Sequence, residues 1–425
     1  MNIPDIDRSI GIEAYSTPMP TLDINIKEGV DSFIVEEVID TDSLNVSSYG
    51  RYALFRLIKE GIDTIHALEE LRKEYNIRLK VLGLKDARAV TKQYAIMEIN
   101  KRYSKERKGW EGVFTTEHCR LEFVGYTDRM LSKRDLVGNT FRIGMKVKCI
   151  EEVIKNTSMV KEYIERRMVA NFYGYQRFGS GRAVTHLIGR AIIRREFNNA
   201  VDILLTYTSE YECEEHIKAR NMLKGLNLNK KTVYSIPFSM DIERIVVRAL
   251  LKHRDYIKAL RSLPINIRRL FVEAYQAYIF NRTLSKALNE GYDISRVFKD
   301  DLCFHHDGRL RGIKVAGSSD SDEDAIVAVP LIGYAFRPKG RFGLLLHNVL
   351  KEECIDAKDF YIKEMQEVSL EGGFRPAPLL LLSDIEYDVI NDNSITFRFG
   401  LHKGSYATIL LREIIKPTNP FLQGF

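Results

Sequence analysis

The pattern of hydrophobic and polar positions predicts a chain that is rich in strands at both ends and helical in its interior. Before residue 150, short runs of β-branched and aromatic residues predict strands. These runs are SFIVEEVI (32–39), RYALFRLI (51–58), LKVLGL (79–84), QYAIMEI (93–99), 119–126 and 140–149. The turn signal Ser47–Gly50 lies between the first two runs, and it predicts that those two strands pair with each other.

Helical spacing of apolar residues appears first after Asp63-Thr64, with Leu68, Leu71 and Tyr75 three or four positions apart. The same spacing predicts helices over 151–168, 184–195, 243–261 and 267–290. From residue 372 the pattern becomes strand-like again, with ITFRFGL (395–401), and a helix is predicted over 405–415. The stretch GSSDSDED (317–324) has the composition of a flexible acidic loop. A chain of 425 residues is longer than one core usually grows, so two domains are expected, one of which interrupts the other.

Composition narrows the class of protein only moderately. With 45% hydrophobic and 29% charged residues, the chain is typical of globular proteins, and its net charge of +6 is compatible with a polyanionic partner without requiring one. The 5 cysteines lie far apart without a C-x-x-C pair, which argues against a zinc knuckle and favours a reducing compartment. No export signal is recognisable, and the longest apolar run, 325–336, is shorter than the roughly 20 residues that span a bilayer. We expect a cytoplasmic protein without a membrane segment.

Common signatures of cofactor and metal sites are incomplete in this chain. Asp320, Asp322 and Asp324 imitate the start of a calcium loop, but Ala325 stands where the loop requires glycine and Leu331 where it requires glutamate. Walker, H-E-x-x-H and G-x-S-x-G motifs are absent from the sequence. The residues therefore predict no metal site and no cofactor.

Two polar stretches remain as candidate sites, and each has two interpretations. RRMVANFYGYQRFGSGR (166–182) interleaves arginines with aromatic residues, which suits single-stranded RNA but equally suits a buried aromatic turn with a solvated basic rim. GLKDARAVTKQ (83–93) places Asp86 beside Lys85 between two predicted strands. Taken alone, Asp86 is most simply a turn former and Lys85 a solvated residue.

Five motifs considered together resemble those of the tRNA pseudouridine synthase D (TruD) family over about residues 26–416. In chain order they are GLKDARAVTKQ (83–93), NFYGYQRFG (171–179), QAYIFN (276–281), GGFRP (372–376) and KGSYATILLRE (403–413). The resemblance implies an α+β fold: a pseudouridine-synthase catalytic domain with a mixed, largely antiparallel sheet and flanking helices, interrupted by a more helical α+β insertion domain. The catalytic domain would comprise residues 1–194 and 369–425, and the insertion residues 195–368.

The same resemblance implies the conversion of uridine to pseudouridine in tRNA, at uridine 13 of the D-arm region. Asp86 matches the catalytic aspartate, which would either add to the anomeric carbon of the ribose or remove the proton from the neighbouring carbon. Lys27 matches the lysine that pairs with this aspartate and keeps it charged. No cofactor is implied, because the reaction is an isomerisation. The resemblance implies no protein partner either.

The NFYGYQRFG stretch supplies the expected substrate-binding residues. Asn171 matches the asparagine that holds the target base by hydrogen bonds. Tyr173 stands where the family commonly has a phenylalanine that stacks on the base, and Arg177 is the neighbouring cation. Two other functions stay open: a non-catalytic RNA-binding protein of the same fold, and a metal-dependent nuclease, which would need several converging carboxylates.

Overall fold

The computed structural model describes residues 2–26, 32–83, 85, 89–99, 111–179, 181–225, 229–306, 310–317 and 324–425. Its strands are β1 (Ile24–Ile26), β2 (Phe33–Ile39), β3 (Tyr52–Lys59), β4 (Lys80–Val81), β5 (Val90–Glu98), β6 (Val113–Thr115), β7 (Cys119–Thr127), β8 (Leu136–Val147), β9 (Leu302–His306), β10 (Leu310–Val315), β11 (Ala325–Leu331), β12 (Gly373–Pro376), β13 (Leu381–Asn391) and β14 (Ser394–His402). Its α-helices are α1 (Asp5–Ser9), α2 (Thr41–Leu44), α3 (Thr64–Tyr75), α4 (Ile150–Glu165), α5 (Thr185–Ile193), α6 (Phe197–Thr206), α7 (Glu214–Leu223), α8 (Lys230–Ser235), α9 (Asp241–His253), α10 (Tyr256–Arg261), α11 (Ile265–Asn289), α12 (Gly340–Glu352) and α13 (Ala407–Ile415). Most of the predicted acidic loop, residues 318–323, lies outside the described residues.

A large mixed sheet organises the two ends of the chain. Its strands lie in the order β13-β14-β8-β2-β5-β3-β7-β6, with β1 also paired to β8 and β4 to β5. Only the β2–β5 pair is parallel among these described pairings. The predicted mixed, largely antiparallel sheet is therefore confirmed.

The predicted pairing of the strands at 32–39 and 51–58 is wrong. Strand β5 lies between them, with Thr91 opposite Val35 of β2 and Gln93 opposite Leu57 of β3. Local alternation identifies a strand but not its neighbour, because the neighbour is chosen by packing over the whole sheet. Of the described residues in the run predicted over 79–84, which are 79–83, only Lys80–Val81 form a strand.

Helices cover one face of this sheet in two separate layers. Helix α3 packs Ala67 and Leu71 against Phe55 and Leu57 of β3. Helices α4 and α13 pack over β8 and β14 at the other half of the sheet. The register places Val35, Thr91 and Gln93 on the same face as these contacts. The middle of that face, around β2 and β5, therefore lies between the two helical layers.

The chain between α5 and β12 builds the more helical part of the molecule, with a small sheet in the order β10-β9-β11-β12. Helix α11 joins this part to the rest, because Tyr275 and Ile279 pack into the helical core while Phe280 and Leu284 pack into the core of the large sheet. The helix predicted over 243–261 is two helices, since Arg254 adopts a left-handed conformation and Asp255 caps α10. The limits 195–368 for an insertion domain stay a prediction.

Among the described residues, the helices are too short or too polar for any of them to cross a membrane.

Candidate active site

The described residues on either side of Asp86 are held by polar contacts with buried side chains. Asp86 itself and Lys27 lie outside the described residues. On one side, the Gln93 side chain donates a hydrogen bond to the Gly83 carbonyl at 3.2 Å. The Thr64 hydroxyl, at the first turn of α3, accepts from the Lys85 N–H at 2.8 Å and lies 3.0 Å from Gln93 Oε1. Thr64 and Gln93 are both buried, so Gly83 and Lys85 are fixed to helix α3 and strand β5.

Lys85 is not a solvated residue, contrary to the simplest interpretation of the sequence. Its ammonium lies 3.2 Å from Glu37 Oε1 and 2.8 Å from Asn139 Oδ1. Glu37 is 3% exposed, and its other oxygen accepts a hydrogen bond from the Tyr94 N–H at 2.9 Å. A buried carboxylate requires such a partner, because an unpaired charge is costly away from water.

The sheet register connects this cluster with the C-terminal motif. Asn139 of β8 lies opposite Leu401 of β14, and β14 ends one residue later at His402. The following turn leads to Tyr406, the residue that precedes α13. The Tyr406 ring lies 6.0 Å from the ring of Tyr173. Motifs 83–93, 171–179 and 403–413 therefore converge on one region of the sheet face.

Arg375, from GGFRP, binds the segment that carries Asn171. Its guanidinium donates to the Asn171 side-chain oxygen and to the carbonyls of Asn171 and Phe172, each at 3.1 Å. The backbone N–H of Asn171 donates to the carbonyl of Ala377, just beyond β12, at 2.8 Å. Asn171 is 1% exposed, so its backbone and side chain have a single defined arrangement.

Tyr173 is held by helix α11 through its backbone and by aromatic and cationic side chains through its ring. Asn281 accepts from the Tyr173 N–H at 2.8 Å and donates to the Tyr173 carbonyl at 3.1 Å. The Arg375 guanidinium carbon lies 3.9 Å from the centre of the Tyr173 ring, and Phe280 meets the ring edge-on at 5.4 Å. With the Tyr173 side chain buried, the ring face under Arg375 is already occupied.

Two charged or titratable groups border this ring. Arg177 is half-buried, pairs with Glu273 at 3.0 Å and has its guanidinium carbon 5.7 Å from the centre of the Tyr173 ring. Burial raises the pKa of the Tyr406 hydroxyl above its usual value, although Arg177 and Arg375 act in the opposite direction. The region is therefore cationic and aromatic, as a site for an RNA nucleotide requires.

The rest of the 166–182 stretch fits the second interpretation, a buried aromatic turn. Phe172, Tyr175 and Phe178 are buried in the core. Arg182 is also largely buried, and it donates to the backbone carbonyls of Leu204 and Tyr207. Only part of this stretch therefore contributes to the candidate site.

Arg375 and Asn281 lie within two of the matched motifs, but the sequence predicted no role for either residue. The sequence also did not predict that Glu37 is buried. A single arginine or glutamate in a strand pattern usually lies at the surface, and the residues next to Arg375 and Glu37 in the sequence do not indicate that these two are buried. The position of Arg375 within a matched motif was the one signal that pointed to it.

Comparison with known proteins shows which family this chain is similar to. The family model for tRNA pseudouridine synthase D (TruD) matches residues 9–414. A protein of Archaeoglobus fulgidus named "Probable tRNA pseudouridine synthase D" is 30% identical, over 97% of this chain and 99% of that protein. A protein of the same name from Methanopyrus kandleri is 34% identical, over 86% of each chain.

A solved structure extends the similarity to three dimensions. The crystal structure assigned as tRNA pseudouridine synthase D (TruD) from Methanosarcina mazei matches with a TM-score of 0.77 and 29% identity, covering 99% of this chain and 100% of that chain. The fold and its motifs are thus those of a pseudouridine synthase, an RNA-modifying isomerase. The chain belongs to the tRNA pseudouridine synthase D family.

Proposed function

We propose that this protein converts a uridine of tRNA, uridine 13 in the D-arm region, into pseudouridine, with Asp86 as the catalytic carboxylate. Membership of the family and the names of its relatives support the reaction and the RNA. The observation that carries the proposal is the convergence of five separate motifs on one region. Their representatives are Lys85, Tyr173, Asn281, Arg375 and Tyr406.

Asp86 is proposed as the group that acts on the ribose. A carboxylate at this position would either add to the anomeric carbon or remove the proton from the adjacent carbon, and both routes require it to be ionised and in contact with the sugar. The fixed positions of Lys85 and Gln93, which stand before and after Asp86 in the sequence, support such precise positioning. The Lys85 ammonium is already paired with Glu37, and a second cation close to Asp86 would favour its ionised form. We propose Lys27 for that role.

Asn171, Tyr173 and Arg177 are proposed to bind the extruded nucleotide. A uridine in folded RNA must leave its stack, which costs a few kcal/mol that new contacts must offset. Because Arg375 covers one face of Tyr173, the base would meet the opposite face or the edge of that ring. Arg177 lies beside the ring and pairs with Glu273. Its side chain remains partly exposed, so its guanidinium is proposed to contact a phosphate of the RNA as well.

The test uses unmodified tRNA transcripts incubated with the whole protein in the presence of a chelator, followed by mapping of every pseudouridine. We expect pseudouridine at position 13 in the wild-type reaction and none in a transcript with cytidine at that position. Asp86→Asn should reduce turnover by about four orders of magnitude while tRNA affinity stays nearly unchanged. The chelator also tests the expectation that no metal is required.

Other outcomes discriminate between the remaining functions. Tight tRNA binding without any pseudouridine would indicate a non-catalytic RNA-binding protein, and strand cleavage would indicate a nuclease. Activity of Asp86→Asn within about tenfold of wild type would refute the role of this aspartate. The cytoplasmic location expected from the sequence stays a prediction, which the distribution of a tagged chain between cell fractions would test.

A further inference from the structure

Arg375 is a buried cation whose hydrogen bonds all go to the Asn171 segment. Arg375 is 5% exposed and lies in strand β12, which contributes to the candidate site. Within the described part of the chain it forms no ion pair with a carboxylate; its partners are the Asn171 side chain and the carbonyls of Asn171 and Phe172. Burying a guanidinium in this way costs free energy, so the contact calls for an explanation beyond packing.

The contact determines which way the Asn171 amide faces. A guanidinium has only donors, so the Asn171 atom 3.1 Å from Arg375 Nη2 must be the carbonyl oxygen Oδ1. The amide nitrogen Nδ2 then points away from Arg375. None of the hydrogen bonds formed among the described residues uses this Nδ2 donor. Asn171 therefore presents a donor, and not an acceptor, on its remaining side.

The guanidinium itself is held in one plane. The Tyr173 ring lies 3.9 Å from its central carbon, and the rings of Phe280 and Tyr406 lie at 5.4 Å and 5.7 Å. Three aromatic side chains leave a planar cation little freedom to rotate. The orientation of the amide is therefore built into the free protein before any RNA arrives.

We propose that Arg375 is a positioning residue, which turns the Asn171 amide so that Nδ2 donates a hydrogen bond to a carbonyl oxygen of the target uracil. This inference rests on the proposed function and deepens it. Uracil offers two carbonyl acceptors and one N–H donor at its edge. An Asn171 side chain that presents only its Nδ2 donor can therefore bind a carbonyl oxygen of the base but not its N–H. With the amide reversed, Oδ1 would face the base and would suit the uracil N–H instead.

The decisive variant is Asn171→Asp, which replaces the amide nitrogen that faces away from Arg375 by an oxygen and gives the side chain a negative charge. One carboxylate oxygen keeps the contact with Arg375 and adds an ion pair, while the other replaces the donor by an acceptor. We expect the melting temperature to stay the same or to rise, and the KM for tRNA to change by less than about threefold. The kcat should fall by about 100-fold or more, as for other single donors to a reacting group.

A second variant tests whether Arg375 acts through Asn171. Arg375→Lys keeps the charge but loses the planar fork, and we expect kcat to fall by about tenfold or more with little change in KM. In an Asn171→Ala background, where the amide is gone, the same substitution should cost less than about threefold. If Arg375→Lys lowers kcat by the same factor in the Asn171→Ala background as in the wild type, Arg375 acts independently of Asn171 and the inference is wrong.

The remaining outcomes also decide the question. If Asn171→Asp keeps kcat within about threefold of wild type, the Nδ2 donor is not needed and the inference is overturned. If Asn171→Asp melts far below wild type, the oxygen does not face Arg375 as described, because a carboxylate there should be tolerated. A wild-type protein that forms no pseudouridine at all would refute the proposed function instead, and the melting temperatures would still test the orientation of the amide.

Discussion

Tyr173 shows how much of the candidate site depends on one side chain. The sequence predicts that this ring stacks on the target base, and a tyrosine differs from a phenylalanine only by its added hydroxyl. The ring contacts Arg375, Phe280 and Tyr406. The hydroxyl takes part in no hydrogen bond among the described residues. The physical contribution of Tyr173 therefore lies in its ring.

We expect Tyr173→Phe to retain most of the turnover and Tyr173→Ala to lose about 100-fold or more. The alanine variant removes the surface on which the Arg375 guanidinium lies, and truncating a buried ring also costs about 3 kcal/mol of unfolding free energy. Steady-state kinetics on a tRNA transcript and urea unfolding measure the two effects. Equal damage by both substitutions would show that the hydroxyl is the important group.

Single residues also mark what sequence reasoning cannot reach. The resemblance to the family identified Asn171, Tyr173 and Arg177 as candidates. In the structure, the Tyr173 ring lies beside Arg177 and under Arg375, which in turn holds Asn171. The sequence did not predict that Lys85 neutralises the buried Glu37. That pairing depends on how close strand β2, which carries Glu37, lies to the segment that carries Lys85, and no local property of either segment contains this information.

At the scale of elements, the N-terminus of α13 lies directly against the segment that follows Tyr173. A Cβ atom built on Gly174 would lie 2.7 Å from Thr408 Oγ1 and 3.0 Å from the Cβ of Tyr406. Both distances are shorter than ordinary van der Waals contact. Gly174 therefore permits two motifs that are more than 200 residues apart to touch.

Gly174→Ala should separate these two elements and lower both stability and turnover. Overpacking of this kind costs about 1–3 kcal/mol, and a displaced Tyr173 should reduce kcat more than it raises KM. Thermal melting and tRNA kinetics provide the measurements. Gly112→Ala is the matched control, because an added Cβ there meets no atom of the described residues within 4 Å. Wild-type behaviour of Gly174→Ala would contradict the close approach.

Elements were predictable in identity far better than in arrangement. The helix after Asp63 was predicted from its cap, and Asp63 accepts from the N–H groups of Ile65 and His66. Helix α11 was predicted to within two residues of its ends. The insertion of β5 between β2 and β3 was not predicted, because a parallel β2–β5 pair joins segments separated by four other elements, α2, β3, α3 and β4. Periodicity describes a segment, whereas pairing is a property of the whole sheet.

At the scale of the whole molecule, a buried charge network ties the two ends of the chain together. Asp7 of α1 accepts from Arg412 of α13 at 2.6 Å, across 405 positions of sequence. Glu413 accepts from the Thr17 hydroxyl at 2.8 Å and pairs with Lys416. The four charged groups are all almost completely buried. Two carboxylates and two cations offset one another there, so removing one member leaves an uncompensated charge.

The titration of Glu413 makes this network testable. Burial raises the pKa of its carboxyl, but Lys416 and Arg412 outweigh burial and hold the pKa below its usual value. Because the pKa is lower in the folded than in the unfolded protein, the ionised carboxylate stabilises the fold fully above its unfolded pKa. That contribution is lost as the pH falls through the folded pKa.

We therefore expect Glu413→Gln to lower the free energy of unfolding by about 3 kcal/mol at neutral pH, and we expect this difference from wild type to shrink on acidification. Urea unfolding followed by circular dichroism at pH 7, 5 and 3.5 measures the difference. Glu162→Gln is the control: its pair with Arg166 is exposed, and it should change nothing measurable at any of these pH values. A difference that is constant with pH would show that Glu413 stabilises the protein through packing alone. A difference that shrinks with acid would mean that the ends of the chain, and with them helix α13 behind Tyr406, are held in place by charge.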